Sequence, residues 1–261
     1  MKALLAGLVA LLLALPAAAE RLVEWPTARP GITQRVLLGE PNGQPRGALV
    51  LLPGNDGRLG LTSRGGITLL AGDHLVRIRA ELATAGFVVA VPDMAPDLPP
   101  GYPPRVGEAN AADLGQVVAQ LRALAPGVKV TLLGTSGGAL AVANAAARLS
   151  GAQAPDGLVS TSGLLMADSG FGISVQANVP GLAGIRAPVL LVGHAFDNCP
   201  FSPPADMERF RPLLVASAKV EVITLRGGYG LGNRCQALSA HGFRGMDAEV
   251  VATLTAWLGA L

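Results

Sequence analysis

The chain has 261 residues, of which 50% are apolar and only 15% are charged, and its formal net charge at neutral pH is +2. This composition excludes a disordered chain and supplies enough apolar residues for a substantial core. Lysine and arginine are scattered without a run or interleaved aromatic residues, so the sequence does not favour nucleic acid as a partner.

The amino-terminal segment has the pattern of a secretory signal. Lys2 precedes an apolar run at residues 3–15 and three alanines at 17–19, which gives the order of charge, apolar core and small-residue cleavage site. The alternative is an uncleaved membrane anchor, but about 13 apolar residues are fewer than the roughly 20 needed to span a bilayer. We predict a signal peptide at residues 1–19 and a secreted or periplasmic protein with no stable membrane insertion.

The remaining residues, 20–261, show no repeat or linker and are predicted to form one domain. Short apolar runs bounded by glycine and proline predict strands at residues 32–38, 48–52, 87–91, 128–133, 157–160, 189–192 and 220–225. Apolar residues at helical spacing predict helices at 74–85, 109–124 and 247–258. Alternation of strand and helix from about residue 48 predicts an α/β fold with a mostly parallel sheet covered by helices on both faces.

The sequence GTSGG occurs where a predicted strand meets an alanine-rich helix. It fits the pattern G-x-S-x-G, in which glycines two residues before and after the serine let the strand and the helix pass closely. This geometry would lift Ser136 clear of the sheet and aim the Gly137 amide at a developing oxyanion. The spacing of a dinucleotide-binding or P-loop motif is absent from the sequence.

A serine nucleophile needs a base and a residue that orients the base. Of the three histidines, His241 lies after the last predicted strand, where a base would follow in the chain order Ser, acid, His. Asp197 follows the strand before it and is the candidate acid, although a surface turn is an alternative role for this residue. Asp206 and Asp168 are the fallback candidates for the acid.

Cys199 and Cys235 are the only cysteines in the chain. In an oxidising compartment an even number of cysteines favours a disulfide, and two free buried thiols are the alternative. The spacing of the cysteines and histidines does not indicate a metal site. A disulfide between them would tie the loop that carries Asp197 to the loop that carries His241.

With GTSGG, with GHAFD around Asp197 and with HGF at His241, the chain resembles the α/β-hydrolase family, and most closely its small exported bacterial members. The resemblance covers nearly all of residues 20–261 and implies Ser136 as nucleophile, Asp197 as acid and His241 as base. By position it also implies the Asn55 amide as a second oxyanion donor. The first oxyanion loop departs from the family pattern, since LLPGNDG has Pro53 where a histidine is usual.

The segment after residue 160 contains Leu164, Leu165, Met166, Phe171 and Ile173. These residues are candidates to line an acyl pocket, with ordinary core packing as the alternative. The sequence predicts a monomeric serine hydrolase that cleaves an ester or related acyl bond of a small molecule and needs no cofactor. A non-catalytic binding protein on the same fold, and a peptidase or amidase, are the alternatives.

Overall fold

The structure, a computed structural model, describes residues 19–261. The predicted signal peptide lies outside the described residues, except for Ala19, where the first strand begins. The sheet has eight strands. They are β1 (Ala19–Pro26), β2 (Thr33–Glu40), β3 (Gly47–Leu52), β4 (Phe87–Pro92), β5 (Val130–Thr135), β6 (Gly157–Thr161), β7 (Val189–His194) and β8 (Val220–Leu225).

The strands lie in the order β1-β2-β4-β3-β5-β6-β7-β8. The pairs β1–β2 and β2–β4 are antiparallel, and every pair from β4 through β3 and β5 to β8 is parallel. The parallel, helix-covered sheet expected from residue 48 onward is confirmed. Because parallel strands end at the same edge, the loops that follow β3, β5, β7 and β8 leave from one side of the sheet.

Seven α-helices occur in residues 19–261. They are α1 (His74–Arg77), α2 (Arg79–Thr84), α3 (Glu108–Leu124), α4 (Gly138–Arg148), α5 (Val175–Asn178), α6 (Asp206–Phe210) and α7 (Asp247–Leu258). None of the helices in this part of the chain is long and apolar enough to cross a membrane.

The helices cover both faces of the sheet. Successive residues of β3 point to opposite faces, so Val50 packs into a cluster with residues of α3 and α4, including Val117 and Leu140. Leu49 packs into a second cluster with residues of α1, α2 and α7, including Leu254. Burial on both faces explains why β3 to β7 read as nearly continuous apolar runs.

Three features differ from the sequence predictions. The edge strand β1 was not expected, because its mixture of charged and apolar residues is typical of a strand with one exposed face. The helix predicted at 74–85 divides at Ile78, whose φ of −91° and ψ of 6° lie outside the helical region. Strand β8 is only half-buried, because it lies at the opposite edge of the sheet and has one neighbour.

Candidate active site

Ser136 occupies the sharp turn between β5 and α4. Its φ of 52° lies in the left-handed region, which is costly for a residue with a side chain and therefore needs support from its surroundings. That support includes the Ser136 amide, which donates to the Thr161 carbonyl at 2.9 Å. A Cβ on Gly134 would lie 2.5 Å from the carbonyl of Gly138, so the tight passage of strand and helix requires glycine here.

Asp197 and His241 meet at the same edge of the sheet, after β7 and β8 respectively. Their side chains are buried, and His241 Nδ1 donates to Asp197 Oδ2 at 2.9 Å. The other carboxylate oxygen of Asp197 accepts from the Cys199 amide at 2.9 Å, which fixes the acid against its own loop. With Nδ1 as donor, the neutral imidazole presents a lone pair at Nε2.

Ser202 is a third member of this cluster that sequence reasoning missed. Its buried Oγ lies 3.0 Å from His241 Nδ1 and donates to Asp197 Oδ2 at 3.4 Å. The hydroxyl thus contributes to holding the Asp197 carboxylate and the His241 ring together. No motif marks Ser202 in the sequence, because its contact with His241 spans 39 residues.

Ser136 and His241 line one cleft of about 320 Å³, together with Gly54, Asn55 and Leu238. His241 Nε2 is buried and has no hydrogen-bond partner among residues 19–261. Ser136 and the histidine with the unpartnered Nε2 therefore line the same cavity. An acyl group that enters this cleft would have a nucleophile and a base available to it.

The loop after β3 brings Asn55 to Gly137. A Cβ on Gly137 would overlap the Asn55 carbonyl oxygen and lie 2.7 Å from the Tyr102 ring, so the two backbones are in close contact. The φ of Asn55 is 49°, and its side-chain Oδ1 accepts from the Tyr102 hydroxyl at 3.3 Å. Within residues 19–261, no hydrogen bond is donated by the amide of Asn55 or of Gly137. Two free backbone donors thus lie beside Ser136.

No protein-family model and no curated protein matches the sequence. The structure is similar to a dienelactone hydrolase from Anabaena variabilis, with a TM-score of 0.60 and 16% identity over 92% of this chain and 97% of that chain. It is also similar to a serine hydrolase without a lid from Xanthomonas campestris, with a TM-score of 0.54 and 16% identity over 93% and 97% of the two chains. The chain has the α/β-hydrolase fold.

A third similar α/β structure is an acylaminoacyl peptidase from Pyrococcus horikoshii, with a TM-score of 0.56 and 14% identity. The match covers 82% of this chain and 38% of the peptidase. At these identities the comparisons establish the α/β-hydrolase fold and leave the chemistry to be argued from the residues of this chain.

The fallback acids occupy other positions in this α/β-hydrolase fold. Asp168 and Asp206 both bind Arg209, at 2.5 and 2.8 Å respectively, and neither forms a hydrogen bond with His241. The candidate acyl-pocket residues also lie elsewhere. Of these five, Leu164, Leu165 and Met166 are buried in the core and the other two pack against it, so core packing is the better description. None of them lines the cleft at Ser136.

Two buried neighbours in the cleft wall, Asp73 and His74, have perturbed pKa values. Burial raises the pKa of Asp73 to about 6, against the opposing effect of hydrogen bonds from backbone amides such as that of Gly54. Burial, together with the charge of Arg77, lowers the pKa of His74 to about 3. Neither ring nitrogen of His74 has a hydrogen-bond partner within residues 19–261, and the ring packs 4.8 Å from that of Phe243.

These two groups are expected to make opposite contributions to stability between about pH 4 and pH 6. In that range His74 is protonated in the unfolded chain but neutral in the folded protein, so acidification favours unfolding through this residue. Asp73 is protonated in the folded protein but ionised in the unfolded chain, so acidification favours folding through that residue. On acidification from pH 6 to 4, we expect the free energy of unfolding of His74→Phe to rise relative to wild type. That of Asp73→Asn should fall, each by about 1.4 kcal/mol per pH unit. Urea titrations at several pH values across this range measure both variants. If their free energies of unfolding changed with pH in parallel with wild type, the prediction would be wrong.

The structure joins Cys199 and Cys235 in a disulfide across 36 residues of sequence. The prediction of a disulfide is therefore confirmed in the structure, and within residues 19–261 no cysteine is free. Cys199 follows Asp197 closely and its amide binds the carboxylate, while Cys235 lines the cleft that contains His241. The bond ties the loop that carries Asp197 to the loop that carries His241.

Replacing both cysteines with alanine is expected to lower the free energy of unfolding by roughly 3 to 4 kcal/mol. Without the bond across 36 residues, the unfolded chain gains conformational entropy. We also expect a lower kcat, since small displacements between acid and base are costly in catalysis. Thermal unfolding and ester turnover of the double variant measure the two effects. An unchanged melting temperature together with unchanged turnover would show that the disulfide does not stabilise the site.

Proposed function

We propose that the protein is a serine hydrolase that cleaves an ester or related acyl bond. The observation that carries the proposal is the Asp197–His241 pair at 2.9 Å, whose histidine has an unpartnered Nε2 and lines the same cleft as Ser136. The left-handed turn at Ser136 and the free amides of Asn55 and Gly137 support it, because acyl transfer needs an exposed nucleophile and donors for an oxyanion.

In the proposed mechanism, Ser136 Oγ forms a bond to the substrate carbonyl carbon and passes its proton to His241 Nε2. Asp197 holds the ring in the required tautomer and stabilises its cation. The amides of Asn55 and Gly137 bind the oxygen that becomes negative. Collapse of this intermediate breaks the bond to the leaving group, which takes the proton from His241. Water then attacks the acyl-enzyme with His241 as base, releasing the acid and restoring the serine hydroxyl.

Two features of the wider molecule support export of the enzyme. The signal-like segment and the disulfide fit an oxidising compartment, and lysines and arginines scattered along the sequence do not favour nucleic acid as a partner. We propose that the enzyme works as a monomer, without a cofactor, after cleavage behind Ala19. The mass of the exported chain would identify the cleavage site.

The proposal is tested by labelling the purified protein with a fluorophosphonate and by turnover of short-chain p-nitrophenyl esters. Wild type should be labelled at Ser136 and should hydrolyse the esters, whereas Ser136→Ala should do neither. Ser162→Ala is the matched control, since Ser162 also has a positive φ and lies just after the neighbouring strand β6. Equal labelling and turnover by wild type and Ser136→Ala would reject the proposal.

A peptidase or amidase is the second candidate, because the same groups serve amide cleavage and the acylaminoacyl peptidase shares the fold. Matched p-nitrophenyl ester and p-nitroanilide substrates with the same acyl group distinguish the two candidates. Saturable ligand binding without turnover of either substrate would instead indicate a non-catalytic binding protein.

A further inference from the structure

Arg105 is buried directly against the loop that follows β3. Its side chain is among the largest that are fully buried, and Nη2 donates to the Pro53 carbonyl at 2.5 Å and to the Gly54 carbonyl at 3.2 Å. Burial lowers the pKa of Arg105 to about 10, so the group keeps its charge at neutral pH. Burial of a cation is costly unless the charge is well paired. Because the hydrogen bonds of this guanidinium go to two carbonyls of the loop, we expect its role to be holding the loop in place.

Asp73 binds one amide of the same loop and is itself fixed at the start of α1. One carboxylate oxygen accepts from the Gly54 amide at 2.9 Å, and the other accepts from the Leu75 amide at 3.1 Å. The peptide group between Pro53 and Gly54 is therefore fixed at both ends, with its oxygen on Arg105 and its N–H on Asp73. Such a peptide has little freedom to rotate.

The next peptide group joins Gly54 to Asn55 and is held only at its oxygen. That oxygen accepts from Arg105 Nη2 and from the Gly57 amide at 3.1 Å. No peptide bond in the described residues is cis, so the N–H of Asn55 points away from the oxygen that Arg105 binds. A hydrogen bond from a cation to the carbonyl also polarises the N–H of the same peptide group and makes it a stronger donor.

From this arrangement we infer that Arg105 and Asp73 are positioning residues for the oxyanion hole, which aim and polarise the Asn55 amide toward the oxygen that becomes negative. The inference rests on the proposed function. It also explains how the loop can be oriented with Pro53 in place of the usual histidine, because Arg105, 52 residues away in the chain, binds the loop.

Two glycines in the loop leave the space that this arrangement needs. Gly57 has a φ of +82°, and a Cβ there would overlap the guanidinium of Arg105. A Cβ on Gly54 would lie 3.3 Å from both Asp73 Oδ2 and Ser136 Cβ, so the loop lies against the nucleophile itself. A displacement of the loop would therefore be transmitted to the donor beside Ser136.

The variants Arg105→Met, Arg105→Lys and Asp73→Asn test the inference. The oxyanion forms only in the transition state, so we expect kcat per fluorophosphonate-titrated site to fall by about 100-fold in Arg105→Met, with KM changed less than about threefold. Arg105→Lys keeps the charge but loses the geometry that binds two carbonyls, and Asp73→Asn keeps one hydrogen-bond acceptor. In both variants kcat per titrated site should fall by about 10-fold. Amide hydrogen exchange at residues 54–57 should accelerate in all three variants.

Arg122→Met is the matched control. Arg122 also binds two loop carbonyls, those of Ala152 and Ala154, away from the cleft. The Arg122→Met protein should be less stable than wild type but should keep wild-type kcat per titrated site and wild-type amide exchange at residues 54–57. An Arg105→Met protein with unchanged kcat per site, or with unchanged exchange in the loop, would overturn the inference.

Failure of the proposed function has a different signature, because wild type and Ser136→Ala would then turn over esters equally. The exchange measurement would still decide whether Arg105 and Asp73 fix the loop. Loop exchange that accelerates in Arg105→Met but not in Arg122→Met would then show that Arg105 fixes the loop, while the assignment to an oxyanion hole would fall with the proposed function.

Discussion

Replacing His241 with glutamine is expected to lower kcat for ester hydrolysis by about 10⁴- to 10⁶-fold. The glutamine side-chain amide retains a donor for Asp197 but has no group that accepts a proton from Ser136 at neutral pH. Because the histidine is buried with Nε2 unpartnered, the loss should come from chemistry rather than from a broken structural contact. Turnover of p-nitrophenyl butyrate measures the effect. The rate is divided by the concentration of folded protein, which calorimetry determines.

His194→Gln is the control for this experiment. His194 is also buried, but both of its nitrogens are used in the structure, with Nε2 on the Gly227 carbonyl and Nδ1 accepting from the Phe196 amide. Its replacement should lower the melting temperature while kcat stays within a few-fold of wild type. Similar losses of kcat in His241→Gln and His194→Gln would argue against His241 as the base.

Replacing Gly138 with alanine is expected to lower the free energy of unfolding by about 3 kcal/mol or more. The added Cβ would overlap the Leu52 carbonyl oxygen and lie 3.0 Å from that of Pro53, and neither backbone atom can rotate away. Helix α4 and strand β3 would have to separate. The same movement would shift the loop that carries Asn55, so kcat should fall in the folded protein as well. Urea unfolding and turnover per titrated site measure the two effects.

Gly184→Ala is the matched control for Gly138→Ala. Gly184 does not have a left-handed φ, and a Cβ there would have nothing within 4 Å. Its free energy of unfolding should stay within about 0.5 kcal/mol of wild type. If Gly138→Ala were as stable as Gly184→Ala, the close contact between α4 and β3 would not constrain the fold.

The central strands were predictable because parallel strands buried on two faces leave a strong signal in the sequence. Residues 48–52 and 189–192 lie within β3 and β7 for this reason. Strand β1 gave a weaker signal, because it pairs on one side only and mixes charged with apolar residues. The break at Ile78 was not predictable from the sequence. The spacing of apolar residues at 74–85 is compatible with one continuous helix and equally with two short helices.

The sequence indicated Ser136, Asp197 and His241 because each stands in a local pattern or at a predictable place after a strand. The structure brings Asp197 and His241 into contact and places Ser136 and His241 at one cleft. Arg105 and Ser202 carry no such pattern. Their partners lie 52 and 39 residues away in the chain, and only the folded geometry shows that a buried arginine binds the loop beside Ser136.

The disulfide between Cys199 and Cys235 has a practical consequence for work on this protein. Recombinant material made in a reducing cytosol, or assayed in a buffer with dithiothreitol, would lack the covalent link between the two loops that carry Asp197 and His241. Under the proposed function, a substrate screen run on such material is expected to underestimate the rates. Preparations should therefore be compared by their content of free thiol before their specific activities are compared.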